Sequence, residues 1–486
     1  MMAGAALVSA CSTDLTGLNN NPNAPTTAPA GPLFTQATVN AVTRYYGGGQ
    51  FALGSVFSQQ LAQVQYVDED RGRIRNTTID AMFTGTYTSE LMDFKKVIQQ
   101  GTAAGSPNTA APASIMQAWT FQQITDLWGD VPYSEALQGD EGGSIKPKYD
   151  PQQEIYNGLL KQVADAAASI VVNSADPALG SSDPIYKGDM AKWQRFGNSL
   201  RLRMAMRISK ADAGKAATEI AAALAAPGGV MTSNSDNATL SYPGDGVFDN
   251  GWSSTLSTRD DYRMSKTLID PLIAMNDPRL KVFAQTTKAD PTKYAGLQNG
   301  LDVTTAATFI TTTSRPGTIF YPGATTYGTF GTAAGKKTPT YIMTYAEVCF
   351  IKAEAAAKGI AGLSGAAQYY NDGIRASILQ WGGTNAEADA YLAQPSVAYK
   401  GGAEGLAQIG LQKWIALFTQ GDEAWAEWRR TGYPSTIMPG PAYYYSSYVR
   451  RIPYAPNEQS VNAESLAEAV ARQGADDYLT RVWWDK

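Results

Sequence analysis

Apolar residues recur three and four positions apart through most of the first 227 residues, the spacing that gathers them on one face of a helix. "FTQATVNAVTRYY" and "LGSVFSQQLAQVQYV" carry the pattern, and "IDAMFTGTYTSELMDFKKVIQQG" carries it up to Gly101. "APASIMQAWTFQQITDLWG" is apolar on most sides, which predicts a helix packed on two faces and stopped by Gly129 and Pro132. "DPQQEIYNGLLKQVADAAASIV" opens with Asp150 as N-cap and Pro151 in the first turn. In "DMAKWQRFGNSLRLRMAMRISK" one stripe holds Trp193, Phe196, Leu200, Met204 and Ile208, and "AGKAATEIAAALAA" adds a helix ended by Pro227.

The texture changes over residues 228–340. Ser, Thr, Gly, Pro, Asp and Asn dominate, aromatics are scattered among them, and β-branched runs between turn signals predict short strands and long loops. So much irregular chain inside a folded protein points to function. Helical pattern resumes over 341–432, where Ala356, Gly359, Ala367, Tyr370 and Ile374 fall at tetratricopeptide-like packing positions. The expected fold is mostly α, a tetratricopeptide-like scaffold of helix pairs with long loop-rich insertions and a few short β-strands. The scaffold is assigned to 32–227 and 341–432, and the loop-rich ligand-binding part to 228–340 and 433–460, all within one domain over 32–486.

Composition narrows the chemistry. Histidine is absent from the 486 residues, so Ser-His-Asp and Cys-His catalysis are excluded. The net charge of −5 comes without any block of like charge, which argues against nucleic acid as a partner. Tyrosines number 26 against 14 phenylalanines, and rings with a polar edge suit half-wet surfaces. Of the two cysteines, Cys349 sits on an apolar helix face and reads as a small buried hydrophobe. Cys11 closes "MMAGAALVSAC", whose Val8, Ser9, Ala10 and Cys11 have the form of a lipobox, although no lysine or arginine precedes the run. Residues 1–11 are therefore expected to be a signal-peptide remnant with Cys11 lipidated, and 12–31 a flexible tether. No other stretch approaches the roughly 18 apolar residues of a membrane span, so any membrane attachment would be by lipid.

"ITDLWGDVPYSEAL" places Asp126, Asp130 and Glu135 close together. A glycosidase needs two carboxyls roughly 5–9.5 Å apart across a sugar. Nothing in this spacing makes Asp126 and Glu135 face each other, and a carboxylate past a helix end can hold a turn, so the structural reading is preferred. Arg429 and Arg430 of "WRRTGYP", and Arg201, Arg203 and Arg207, are likewise read as structural, whereas Tyr443, Tyr444 and Tyr445 fit either a surface cleft or a partner contact.

"TDLWGDVPYSEAL", "KWQRFGNSLRLRMAMRIS", "MNDPRL", "TYAEVCFIKAEAAAKG", "LQKWIALFTQGDEAWAEWRRTGYP" and "RIPYAPNEQSVN" follow one another in this order. Together they resemble the SusD/RagB family of surface lipoproteins, in its SusD-like branch, over nearly the whole chain. The resemblance implies a lipid-anchored protein of the outer membrane, exposed at the cell surface. It also implies capture of oligosaccharide or another nutrient above a SusC-like TonB-dependent transporter, with no catalysis and no cofactor.

Sugars offer apolar C–H faces and a belt of hydroxyls, so a binder needs an exposed ring beside planar polar groups. "QYVDEDRGRIRN" has that composition, with Tyr66, Asp68, Asp70, Arg71 and Arg73, and the resemblance implies that this loop contributes to the ligand site. "DNGWSSTLSTRDDYRMS" has it too, with Trp252, Asp260, Tyr262 and Arg263; Tyr321 and Trp381 complete the set. Trp252 is the leading candidate, because Gly251 and the serines after it leave its ring uncrowded, and no metal ligands are assigned. Two other functions compete: a secreted glycoside hydrolase working with carboxylates alone, and a tetratricopeptide-type scaffold that binds peptides.

Overall fold

The computed structural model describes residues 28–47, 51–174, 179–256, 259–321 and 335–486. Cys11 and most of the expected tether lie outside them.

Side-chain caps start many of the helices. Asp189 accepts from the Lys192 N–H at 3.1 Å to open Met190–Arg207, and Asp212 accepts from the Lys215 N–H at 3.0 Å to open Ala213–Ala225. Thr344 caps Tyr345–Ala357, and Thr384 with Glu387 forms a reciprocal capping box at Asn385–Leu392. Pro107–Trp128 ends where Gly129 turns to φ 86°, at the position its sequence indicates. Asp150 does not cap the next helix as expected. Its carboxylate accepts from the Tyr133 and Ser134 N–H groups, and Asp130 reaches across to accept from the Gln152 N–H at 2.8 Å at the start of Gln152–Ser169. Pro151 leaves the caps to a residue outside the helix, which the local sequence does not reveal.

Met92–Ala103, Pro107–Trp128, Gln152–Ser169, Met190–Arg207 and Ala213–Ala225 each pack on the next, and Tyr345–Ala357 packs on Ala366–Gln380 and Gly402–Ala416. This is the mostly helical, paired scaffold expected. Its interior is rich in rings: Trp119 meets Tyr45 and Tyr46 edge-on, and Trp193 meets Phe34 and Tyr186. Helix Phe51–Phe57 lies so close to Gly421–Thr431 that a Cβ on Gly54 would sit 2.2 Å from the Asp422 nitrogen.

A buried ionic lattice ties the two halves of the scaffold together. Arg203 forms a bidentate pair with Glu347 at 2.7 and 2.6 Å; Arg207 bonds Glu423 and Glu427; Arg430 bonds Glu354 and Glu427; Lys413 lies 2.8 Å from Glu427. The arginines of the two arginine-rich helices are thus structural.

"LGSVFSQQLAQVQYV" is helical only to Phe57. Gln59 takes φ 52°, and Leu61–Gln63 becomes a strand pairing antiparallel with Tyr262–Met264, in the register Leu61 to Met264 and Gln63 to Tyr262. Two further ladders join Val131–Pro132 to Tyr149–Asp150 and Ala238–Leu240 to Thr340–Met343. No helix of the described residues is long and apolar enough to cross a membrane.

Much of the loop-rich segment is packed inward. Trp252 is 1% exposed, with its ring 4.7 Å from Phe320 and 5.6 Å from Phe418. Its Nε1 donates to the Tyr46 carbonyl at 3.3 Å. The expectation of an uncrowded indole is therefore corrected: Gly251 and Ser253 are buried with it, and their small size admits neighbouring rings rather than a ligand. Tyr321 and Trp381 are buried too, Trp381 against Phe283, Tyr341 and Phe418 and Tyr321 beneath the Arg315 guanidinium.

Candidate functional site

The strand Leu61–Gln63 delivers the chain into a loop, 64–75, whose interior is hydrogen-bonded throughout. The Gln63 side chain accepts from the Asp70 N–H at 3.1 Å and donates to Glu69 at 3.2 Å, while Asn299 donates to Asp70 at 2.6 Å and to the Leu61 carbonyl at 2.8 Å. Burial pushes the Asp70 carboxyl up to about 7. Asp70 is thus a fastener under the loop, not a ligand contact. Gly72 has φ 92°, and a Cβ there would lie 2.6 Å from the Tyr443 ring, so this turn requires glycine.

A loop pinned from below holds its outer side chains in place. Tyr66 sits at φ 52° and is 60% exposed. It forms the wall between two hollows. One, of about 470 Å³, is bordered by Val67, Asp68, Arg71, Val303 and Ala307; the other, of about 200 Å³, by Gln63, Glu69, Arg75, Arg259 and Tyr262. The Arg259 guanidinium lies 4.8 Å over the Tyr66 ring and is held by Asp261. On the first side Tyr444 arrives from the far end of the chain. Its hydroxyl donates to Asp68 and accepts from Arg71, and the Arg71 and Arg73 guanidinium carbons stand 4.0 and 4.2 Å from its ring centre.

Of the residues singled out in the sequence, Tyr66, Asp68 and Arg71 come together on this surface. Tyr262 is largely buried and meets the smaller hollow from below. Arg263 is fully buried, bonding Asp260 and the Ile310 carbonyl, so it is removed from the candidate contacts along with Trp252, Tyr321 and Trp381. The sequence reading left Tyr444 undecided and passed over Arg259. Arg259 lies in a stretch singled out for its aromatic and charged content and Tyr444 in a run of three tyrosines, but nothing local shows that they meet Tyr66 and Arg71.

A larger cavity, of about 620 Å³, opens between Lys266–Ala274, Gly402–Ala416 and the turn 433–440. Pro271, Leu411, Pro434 and Pro439 give it an apolar lining. Two of its polar groups are engaged with neighbours: Gln59 donates to the Met438 carbonyl and accepts from Thr267, and Lys266 pairs with Asp270. Tyr433, Gln298, Gln408, Ser435 and Thr436 complete its lining.

The three neighbouring carboxylates are all occupied structurally. Asp126 accepts from Tyr156 and Trp484, Asp130 from Gln152 and Arg472, and Glu135 from the Lys148 N–H. Among the described residues no cluster of three or more metal-ligating side chains occurs.

Residues 22–454 match the model of a SusD-like family described as "Starch-binding associating with outer membrane". None of the curated proteins matches the chain. Among solved structures, a SusD homologue from Bacteroides uniformis superposes with a TM-score of 0.82 at 26% identity, covering 94% of this chain and 99% of that one. A chitin-binding protein matches with a TM-score of 0.79 at 29% identity, covering 94% and 100%. A chitin-binding SusD homologue from Flavobacterium johnsoniae gives 0.79 at 25%, covering 94% and 97%. Helix-pair scaffold, ordered motifs and a family match spanning most of the sequence agree, and the chain belongs to the SusD-like family.

Proposed function

We propose that this protein captures an oligosaccharide, or a nutrient of similar chemistry, at the cell surface and hands it to a SusC-like TonB-dependent transporter without making or breaking a bond. Tyr66 carries the reading: a tyrosine 60% exposed on a loop fastened from beneath, between two hollows edged with carboxylates and guanidiniums. A sugar ring laid on Tyr66 would meet apolar carbon with its face, and Asp68, Arg71 and Arg259 with its hydroxyl edge. Because the loop is already hydrogen-bonded, little conformational entropy is lost on binding. The relatives described as chitin-binding and the family description as starch-binding support a glycan ligand. Anchoring through an acylated Cys11 would hold the scaffold at the outer membrane, where its extended helical faces are available to the transporter.

Absence of histidine and the structural engagement of Asp126, Asp130 and Glu135 favour binding over hydrolysis. The test is a glycan-array screen of the soluble form lacking residues 1–11, followed by calorimetry and a reducing-end assay on each glycan retained. Retention without release of reducing ends, lost in Tyr66→Ala, is the expected result. Turnover of a retained glycan would overturn the non-catalytic reading.

A further inference from the structure

Arginines in this protein are almost uniformly neutralised. Among the described residues every one has a carboxylate partner in ion-pair range except Arg71, Arg73 and Arg429. Arg429 is buried in the scaffold and donates to the Asp126 and Arg450 carbonyls. Of the other two, Arg71 borders the larger hollow beside Tyr66, and Arg73, two positions on, packs against the same Tyr444 ring.

Their hydrogen bonding leaves donors unspent. Arg71 uses Nε on the Ala442 carbonyl and Nη1 on the Tyr444 hydroxyl, which fixes the plane of its guanidinium. Arg73 is exposed and packs over the same ring. Asp68, the nearest acid in the loop, accepts the Tyr444 hydroxyl at 2.6 Å. Neither guanidinium has a carboxylate in ion-pair range, so an anion that reaches them gains planar, charge-assisted hydrogen bonds.

We infer that the glycan taken by this site is acidic, with an anionic group (a uronic acid carboxylate or a sulfate ester) bound at the Arg71–Arg73 edge while a neighbouring ring stacks on Tyr66. The inference rests on the capture function proposed above and adds the class of its ligand. Neutral starch or chitin fragments offer the two guanidiniums acceptor oxygens but no counter-charge.

The full chain is titrated calorimetrically with oligogalacturonate and its methyl-esterified form, a sulfated galactan, malto-oligosaccharides and chito-oligosaccharides. Acidic ligands bind about tenfold or more tightly than neutral ones, and added salt weakens only the acidic group. Oligogalacturonate and the sulfated galactan distinguish the two anions. Arg73→Gln erases the preference for acid, and because this side chain is exposed and meets Tyr444 only at the surface, the fold is kept; Tyr66→Ala weakens every ligand alike. Neutral glycans bound as tightly as acidic ones, or a preference that survives Arg73→Gln, would overturn the inference and leave capture standing. If no glycan of either charge binds, or if Tyr66→Ala changes nothing, capture fails as well.

Discussion

The Tyr444 hydroxyl donates to Asp68 at 2.6 Å and accepts from Arg71 at 2.8 Å, so one phenol joins the 64–75 loop to a segment more than 370 residues later. Tyr444→Phe keeps the ring for both guanidiniums but releases the two polar edges. Glycan affinity is expected to fall about tenfold, while the unfolding free energy changes by about 1 kcal/mol or less, since the bonds lie at the surface. Calorimetry and denaturant melts on the same variant separate the two effects.

Trp252 behaves oppositely. Its ring fills space among Phe320, Phe418 and the Tyr46 carbonyl, so Trp252→Ala leaves a cavity and costs about 3–5 kcal/mol of stability. A denaturation midpoint close to that of the parent protein would show the ring is not packed as described. Any ligand still bound by the folded fraction keeps its affinity.

Arg203 and Glu347 are both fully buried and bidentate. Removing one partner strands the other charge, so Arg203→Met alone is expected to cost about 3–5 kcal/mol, and the double change Arg203→Met with Glu347→Leu recovers most of it. A double-mutant cycle by urea unfolding measures the coupling.

Asp422 is buried where Phe51–Phe57 closes on Gly421–Thr431, and desolvation pushes its carboxyl up to about 8. Raised above the unfolded value, this group keeps its proton in the folded state over a range in which the unfolded chain has lost it. Its contribution to stability is full below pH of about 4, declines as pH rises toward 8, and is flat above that. The slope cannot exceed about 1.4 kcal/mol per pH unit. Asp422→Asn removes this component, so unfolding free energies of variant and parent converge at low pH and differ most near pH 8.

The scaffold was legible because helix periodicity, caps and stop glycines are local: Asp189, Asp212 and Gly129 act within a turn of where they stand. Leu61–Gln63 escaped that reading, since its partner strand lies 200 residues away and apolar spacing alone does not separate a short strand from a helix end. On the candidate surface, the meeting of Tyr66, Asp68 and Arg71 was legible from the mixture of rings and charges in one loop. Trp252, Tyr321, Trp381 and Arg263 share that mixture but are buried, because burial depends on Phe320, Phe418 and Asp260 arriving from elsewhere. Composition identifies a segment able to hold a ligand; only the path of the backbone decides which of its rings remain wet.

The three-rung ladder between Leu61–Gln63 and Tyr262–Met264 has a consequence for how the molecule assembles. Helix hairpins form from neighbours in the chain, whereas this ladder must close a very long loop for few hydrogen bonds. It therefore zips after the helix hairpins it joins. The loop surface beside it can thus be recast, by grafting or by drift, without endangering the girders that carry it.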